Sequence, residues 1–193
     1  MWEHRGIRGG GDAPSSYLGK YHGNLIVLGG ARCVWDDYLK LTSAGFAGQV
    51  MAVNDVGMYF DRSLDHWVSE HASYLRLWVE LRKGHALMGH ECLTHTNKAT
   101  HGIRVCWDIQ PYAPLSGLWA AQVGVALGYE RIVLCGCPQD GSAHFFDPPW
   151  MPGGEHDDRN HKKAFRTLVE QTPELRRSVR SMSGWTKELF GEP

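Results

Sequence analysis

The segment SGLWAAQVGVALGYERIVLCGCPQDGSAHFFD, Ser116–Asp147, decides how the rest of this chain is read. Ser116 is placed to cap a helix, and Leu118–Leu127 are apolar on nearly every side, as suits a helix buried against a sheet. Gly128 then stands where a helix end needs a left-handed residue. Arg131–Cys135 is a short β-branched run of the kind that forms a strand covered on both faces. Gly136 opens a polar loop at the carboxyl end of that strand, where open α/β sheets bind ligands. Cys135 and Cys137 are two apart, so a strand continued through them would turn both to one face, for metal binding or for packing.

Working outward towards the amino terminus, Asn24–Leu28 (NLIVL) reads as a first strand running into Gly29, Gly30, Ala31 and Arg32. A strand, paired glycines and a helix let backbone amides come close to a phosphate or ribose. A helix over Val34–Ser43 follows, and Val50–Val53 is the second strand, with Asn54 and Asp55 at its tip. Such a tip carries either a nucleotide-holding group or a simple Asx turn. His66–Ser69 reads as a third strand and Ser73–Lys83 as an amphipathic helix. Ala86–His90 and Ile103–Trp107 read as strands separated by a polar loop, ECLTHTNKATHG. Beyond the central segment, PPWMPGGE (Pro148–Glu155) is irregular, Asp158–Glu170 is helical, Val179–Met182 is a strand, and a last helix reaches Leu189. Strands alternating with helices predict a Rossmann-like α/β fold with a doubly wound, mainly parallel sheet in a single domain over residues 23–193. Residues 1–22, rich in Gly, Arg and Ser, read as a flexible N-terminal arm.

Composition narrows the class. At 193 residues the chain suits one domain, and 20 basic against 21 acidic residues give a net charge of −1, which argues against nucleic-acid binding. No apolar run approaches the ~18 residues a membrane helix needs, so the expected setting is cytoplasmic, with peripheral membrane attachment open. Five cysteines without a CxxC pair read as reduced thiols. Eleven histidines stand out, and a metal site at His144, Asp147, His156 and His161 has suitable ligand types but no recognised spacing.

Four pieces in order resemble the bacterial CMP-sialic acid-dependent lipooligosaccharide sialyltransferases and, distantly, the hydroxymethylpterin diphosphokinase-like Rossmann family. They are LGGAR at Leu28–Arg32, Asn54, the SG…VALGYERIVLCG segment, and H-x5-KKAF at His156–Phe165. The resemblance implies that Gly29, Gly30, Asn54, Ser116 and Gly117 hold the nucleotide and that His156 is the general base. Two tyrosines that serve the leaving phosphate in that family are replaced here, with Pro138 and His144 in their stead. Arg32 and His144 are the residues expected to supply that stabilisation, and His144 is the second catalytic candidate. The function implied is transfer of a sugar such as sialic acid from a nucleotide-sugar to a hydroxyl acceptor, inverting and without a metal or other cofactor. Two alternatives stay open: a diphosphokinase-like enzyme using ATP and Mg²⁺ on Asp55, Asp140 and Asp147, and a non-catalytic nucleotide-binding protein. The expected partners are a nucleotide-sugar and a glycan or other hydroxyl acceptor, with homo-oligomer formation open.

Overall fold

Seven parallel strands make one open sheet in the order β5-β4-β3-β2-β1-β6-β7. The computed structural model describes residues 14–84, 92–109, 116–151, 153 and 158–193, backbone only over 158–160. The strands are β1 (Asn24–Leu28), β2 (Gln49–Val53), β3 (His66–Val68), β4 (Leu93–Thr96), β5 (Val105–Cys106), β6 (Arg131–Cys135) and β7 (Val179–Ser181). Their alternation follows from the β-branched runs, whose successive side chains point to opposite faces. Leu25 and Val27 face one core with Ile132 and Leu134, while Ile26 and Leu28 face the other with Val133 and Cys135.

Helices α1 (Val34–Ser43), α2 (Val56–Tyr59) and α3 (Ala72–Lys83) cover the second of these faces through Val34, Tyr38, Leu41, Val56 and Leu75. Helices α4 (Ser116–Leu127), α5 (Asp158–Gln171), α6 (Pro173–Ser178) and α7 (Gly184–Phe190) pack on the first. Helix α4 buries residues 118–124 without a break, which is why its sequence is apolar all round. It ends at Gly128, whose φ of 107° is open to glycine at little cost. The chain runs outward from β1 to β5, then returns to add β6 and β7 on the other side of β1. The strand order therefore reverses between β1 and β6, and it is there that a doubly wound sheet opens a crevice at its carboxyl end.

Several expectations are corrected. The loop expected over 91–102 contains strand β4, because Thr94, His95 and Thr96 are buried although polar. Their polar atoms are satisfied internally: Thr94 Oγ1 accepts from the Arg104 amide at 2.9 Å, and His95 bonds His66 and Trp107. Residues 14–22 of the expected arm pack against the domain. Tyr17 is buried, Tyr21 stacks on Tyr129, and the Gly19 and Tyr21 amides donate to Ala126 and Leu127 at the end of α4. Cys135 and Cys137 do not share a face, since Cys135 packs in the second core and Cys137 against the first. Gly136, at φ 69°, breaks the strand alternation between them. The strand expected at 86–90 lies outside the described residues. Among the described residues no helix is long and apolar enough to cross a membrane.

Candidate functional site

A cleft of about 260 Å³ lies at the carboxyl ends of β1, β2 and β6, and Gly29, Gly30, Asn54, Ser116, Gly117 and His144 all line it. Each reaches the cleft for a local reason. The Gly29 amide continues the ladder to the Cys135 carbonyl at 2.8 Å, and the Ala31 amide donates to Gly136 at 3.0 Å. A β-carbon on Gly29 would collide with Cys137 Sγ and stand 2.5 Å from the Gly136 carbonyl oxygen. One on Gly30 would lie 3.0 Å from His144 Nδ1, and one on Gly117 2.9 Å from Cys137 Sγ. The glycines thus let two strand exits and the start of α4 close on one thiol. Burial holds the Cys137 thiol up to about 12, so it is uncharged packing in the floor of the cleft rather than a nucleophile.

That floor is fastened from below. Asp37 of α1, itself buried, accepts from the Gly136 amide at 2.9 Å and from Ser183 Oγ at 2.6 Å. Thr186 Oγ1 of α7 donates to the Cys137 carbonyl at 2.7 Å. The exit of β6 is therefore tied to α1 and to the β7–α7 turn at once.

On the β2 side, Asn54 occupies the left-handed region at φ 53°, which asparagine tolerates better than most residues. Its carbonyl accepts from Trp67 Nε1 at 2.6 Å, and its side-chain Oδ1 accepts from Ser69 Oγ at 2.8 Å. The side-chain oxygen is thereby engaged across the sheet, leaving the amide NH₂ as what Asn54 offers a ligand. Ser116 is the first residue of α4, and its hydroxyl donates to Glu70 Oε2 at 2.9 Å, linking the β3 exit to the helix. Burial pushes the Glu70 carboxyl above its usual range, against the pull of that hydrogen bond and of His71.

His144 sits on a loop bridged to the β1 exit: the Phe145 amide donates to Gly30 and the Arg32 amide to Ala143, at 3.0 and 2.9 Å. Asp147 accepts from the His144 amide at 2.8 Å, and the imidazole stacks on Phe146. His144 Nδ1 lies 3.2 Å from the Gly30 carbonyl, which only accepts, so Nδ1 carries the proton and Nε2 is the basic nitrogen of the neutral ring. Arg32, expected with the nucleotide group, does not line this cleft. Its guanidinium donates to the carbonyls of Pro148, Pro149 and Met151 at 2.9, 3.3 and 3.4 Å and holds that loop in place. His156 lies outside the described residues.

Two groups that the sequence offered as metal-ligand candidates also line the cleft. His161, in the first turns of α5, lines it, and its buried Nδ1 has no hydrogen-bond partner among the described residues. In the sequence it stands out only as one of four candidate metal ligands and at the head of HKKAF. Asp55 lines it too, half-buried, with burial raising its carboxyl above the usual range. Of the carboxylates considered for Mg²⁺, Asp55 and Asp140 line the cleft and Asp147 does not. Asp140 binds its own loop through the Ser142 amide at 2.9 Å, and Asp147 caps His144. Among the described residues no three His, Cys, Asp or Glu side chains come together in a way that could hold a metal ion.

No family model and no curated protein matches the sequence. A solved structure does share the fold: the sialyltransferase CstII from Campylobacter jejuni in complex with a substrate analogue, cytidine-5'-monophosphate. It is 14% identical with a TM-score of 0.58, over 88% of this chain and 84% of that one. At that identity the likeness is one of fold alone, a Rossmann-like α/β arrangement.

Proposed function

We propose that this protein is a cytoplasmic nucleotide-sugar glycosyltransferase, inverting and metal-independent, that moves a sugar of the sialic acid type from a CMP-linked donor to a hydroxyl acceptor. The observation that carries this reading is the meeting of Gly29, Gly30, Asn54, Ser116 and Gly117, dispersed over some ninety residues, around one cleft at the sheet's switch point. The fold shared with a CMP-bound sialyltransferase supports the donor class. In this reading the paired glycines admit the donor phosphate to the backbone, and the Asn54 NH₂ donates to the nucleotide.

Transfer is a single displacement. The acceptor oxygen bonds to the anomeric carbon as the bond from that carbon to the phosphate oxygen breaks, and the nucleotide leaves as its monophosphate. A histidine takes the acceptor's proton, a contribution of about 10²–10⁴-fold. His156 is assigned that role from the H-x5-KKAF resemblance, and His144 is the cleft imidazole whose Nδ1 contact with Gly30 makes Nε2 the nitrogen that would take it. The diphosphokinase reading is disfavoured, because two of its three carboxylates are engaged within their own loops.

The experiment is a thermal-shift series with CMP, CDP, UDP, GDP and ATP, each with and without Mg²⁺, on the wild type and on Asn54→Leu. A shift with cytidine nucleotides that needs no Mg²⁺ and is lost in Asn54→Leu is expected. A shift only with ATP and Mg²⁺ would overturn the reading in favour of phosphoryl transfer.

A further inference from the structure

We infer that Gln139 is a specificity residue for the transferred sugar and holds its hydroxyl-bearing edge at the exit of β6; this rests on the nucleotide-sugar reading above. Among the described residues only two that are not glycine have a positive φ, Asn54 at 53° and Gln139 at 51°. Both carry a carboxamide, and both line the cleft. Asparagine is at home in the left-handed region, whereas glutamine, with a longer side chain, lacks the local hydrogen bond that favours it there. The same loop uses glycine at its two other left-handed positions, Gly136 at 69° and Gly141 at 78°. Position 139 thus keeps a side chain where glycine would be conformationally cheaper, and residues held in that condition cluster at ligand sites.

The loop is fastened on both sides of it. Pro138 is buried and its carbonyl accepts from the Thr186 amide at 3.3 Å, while Asp140 accepts from the Ser142 amide at 2.9 Å. The surroundings therefore impose the backbone of Gln139, yet its carboxamide, which can both donate and accept, meets no hydrogen-bonding partner among the described residues. Position decides which part of a ligand it meets. Asn54 and Gln139 stand at the exits of β2 and β6, the two neighbours of β1, and so flank the paired glycines from opposite sides. With the phosphate at Gly29 and Gly30 and the nucleoside at Asn54, the group beyond the phosphate falls to Gln139. Charge decides what that group offers. Among the described residues that line the cleft there is no Lys or Arg, and Asp140 is the next residue along. A carboxylate or a second phosphate here would meet like charge, whereas a hydroxyl donates to a carboxamide and accepts from it.

The test is titration calorimetry with matched pairs, CMP and CMP-N-acetylneuraminate, UDP and UDP-glucose, GDP and GDP-mannose, on the wild type and on Gln139→Gly. For the pair that binds, the sugar is expected to raise the affinity of the wild type. Gln139→Gly should weaken the sugar nucleotide by about 3–10-fold, as for one neutral hydrogen bond, and leave the bare nucleotide unchanged. The same variant should unfold at an equal or higher urea concentration, because glycine relieves the left-handed backbone, and a lost contact is thereby separated from a lost fold. Gln139→Asn suits that backbone but carries its amide one carbon short, and should lose the sugar's contribution too. Both variants binding the sugar nucleotide as tightly as the wild type would overturn the inference while the nucleotide reading stands. So would an equal loss for the bare nucleotide, or a wild type that binds bare and sugar forms alike. If nothing in the series binds, the nucleotide reading fails and this inference falls with it.

Discussion

The interior of the sheet and the cleft at its carboxyl end treat histidine in opposite ways. His66 at the start of β3 and His95 within β4 are buried in an unbroken hydrogen-bonded chain. Trp107 Nε1 donates to His95 Nδ1 at 3.0 Å; His95 Nε2 meets His66 Nδ1 at 3.0 Å; and His66 Nε2 meets the Tyr129 hydroxyl at 2.7 Å. Tyr129 donates in turn to Gln49 Oε1, and Gln49 Nε2 to Asp65 at 3.0 Å. An indole N–H only donates, so the tautomers are set in sequence: each neutral ring is protonated at Nε2 and accepts at Nδ1. At the carboxyl end, His144 has Nδ1 pinned on Gly30, and the buried Nδ1 of His161 has no hydrogen-bond partner among the described residues. Polar groups that complete one another hold the fold together, whereas those left incomplete mark where a ligand belongs.

Acid should break the contrast most strongly. Burial holds His66 down at about 4, and burial together with the neighbouring His66 holds His95 well below its ordinary value. Both folded values lie below the ~6.5 of an unfolded histidine, so the unfolded chain takes up protons first. Their contribution is complete above about pH 6.5 and is lost as the pH falls towards about 4, at about 1.4 kcal/mol per pH unit for each histidine. Urea unfolding at about pH 7.5 and about pH 5 measures it, and equal stabilities would show that the chain is not held neutral.

A substitution comes next. His95→Leu leaves the Trp107 N–H and His66 Nδ1 without partners and should cost about 3 kcal/mol at neutral pH, read from the urea midpoint. It should also flatten the acid dependence by one histidine's share. The smallest effect on stability is expected in the cleft. His144 is exposed, and His144→Gln should leave the urea midpoint unchanged. If His144 is the base, sugar transfer falls about 10²-fold or more with donor affinity retained. The same assay on His156→Gln decides between the two, and the variant that transfers at the wild-type rate is eliminated.

Much of the frame could be read from residue order because it is written in apolar runs. Asn24–Leu28, Val34–Ser43 and Arg131–Cys135 fall where composition places them. The glycines, Asn54 and Ser116 converge because strand exits and helix entries on a parallel sheet all face one way. What could not be read depends on partners distant in sequence. Strand β4 is polar and looked exposed until His66 and Trp107 completed it. Arg32 looked like a phosphate ligand, yet carbonyls more than a hundred residues away claim its guanidinium. Helices α2 and α6 are too short to show a period. No local pattern separates a histidine in a closed chain from one in a cleft.

The reversal between β1 and β6 also sets when the cleft can form. It pairs Asn24 with Arg131, whereas β1 meets β2 within about 25 residues, Leu25 opposite Gln49. Closing so long an intervening stretch is the entropically expensive step of such a topology, and non-local pairings of this kind slow folding. The floor of the cleft, hung on Gly29, Gly136 and Cys137, exists only once that pairing is made. A ligand lodged there binds the completed sheet and no partly assembled one, so it stabilises only finished molecules, by mass action. Its appearance during refolding would time the pairing of β1 with β6.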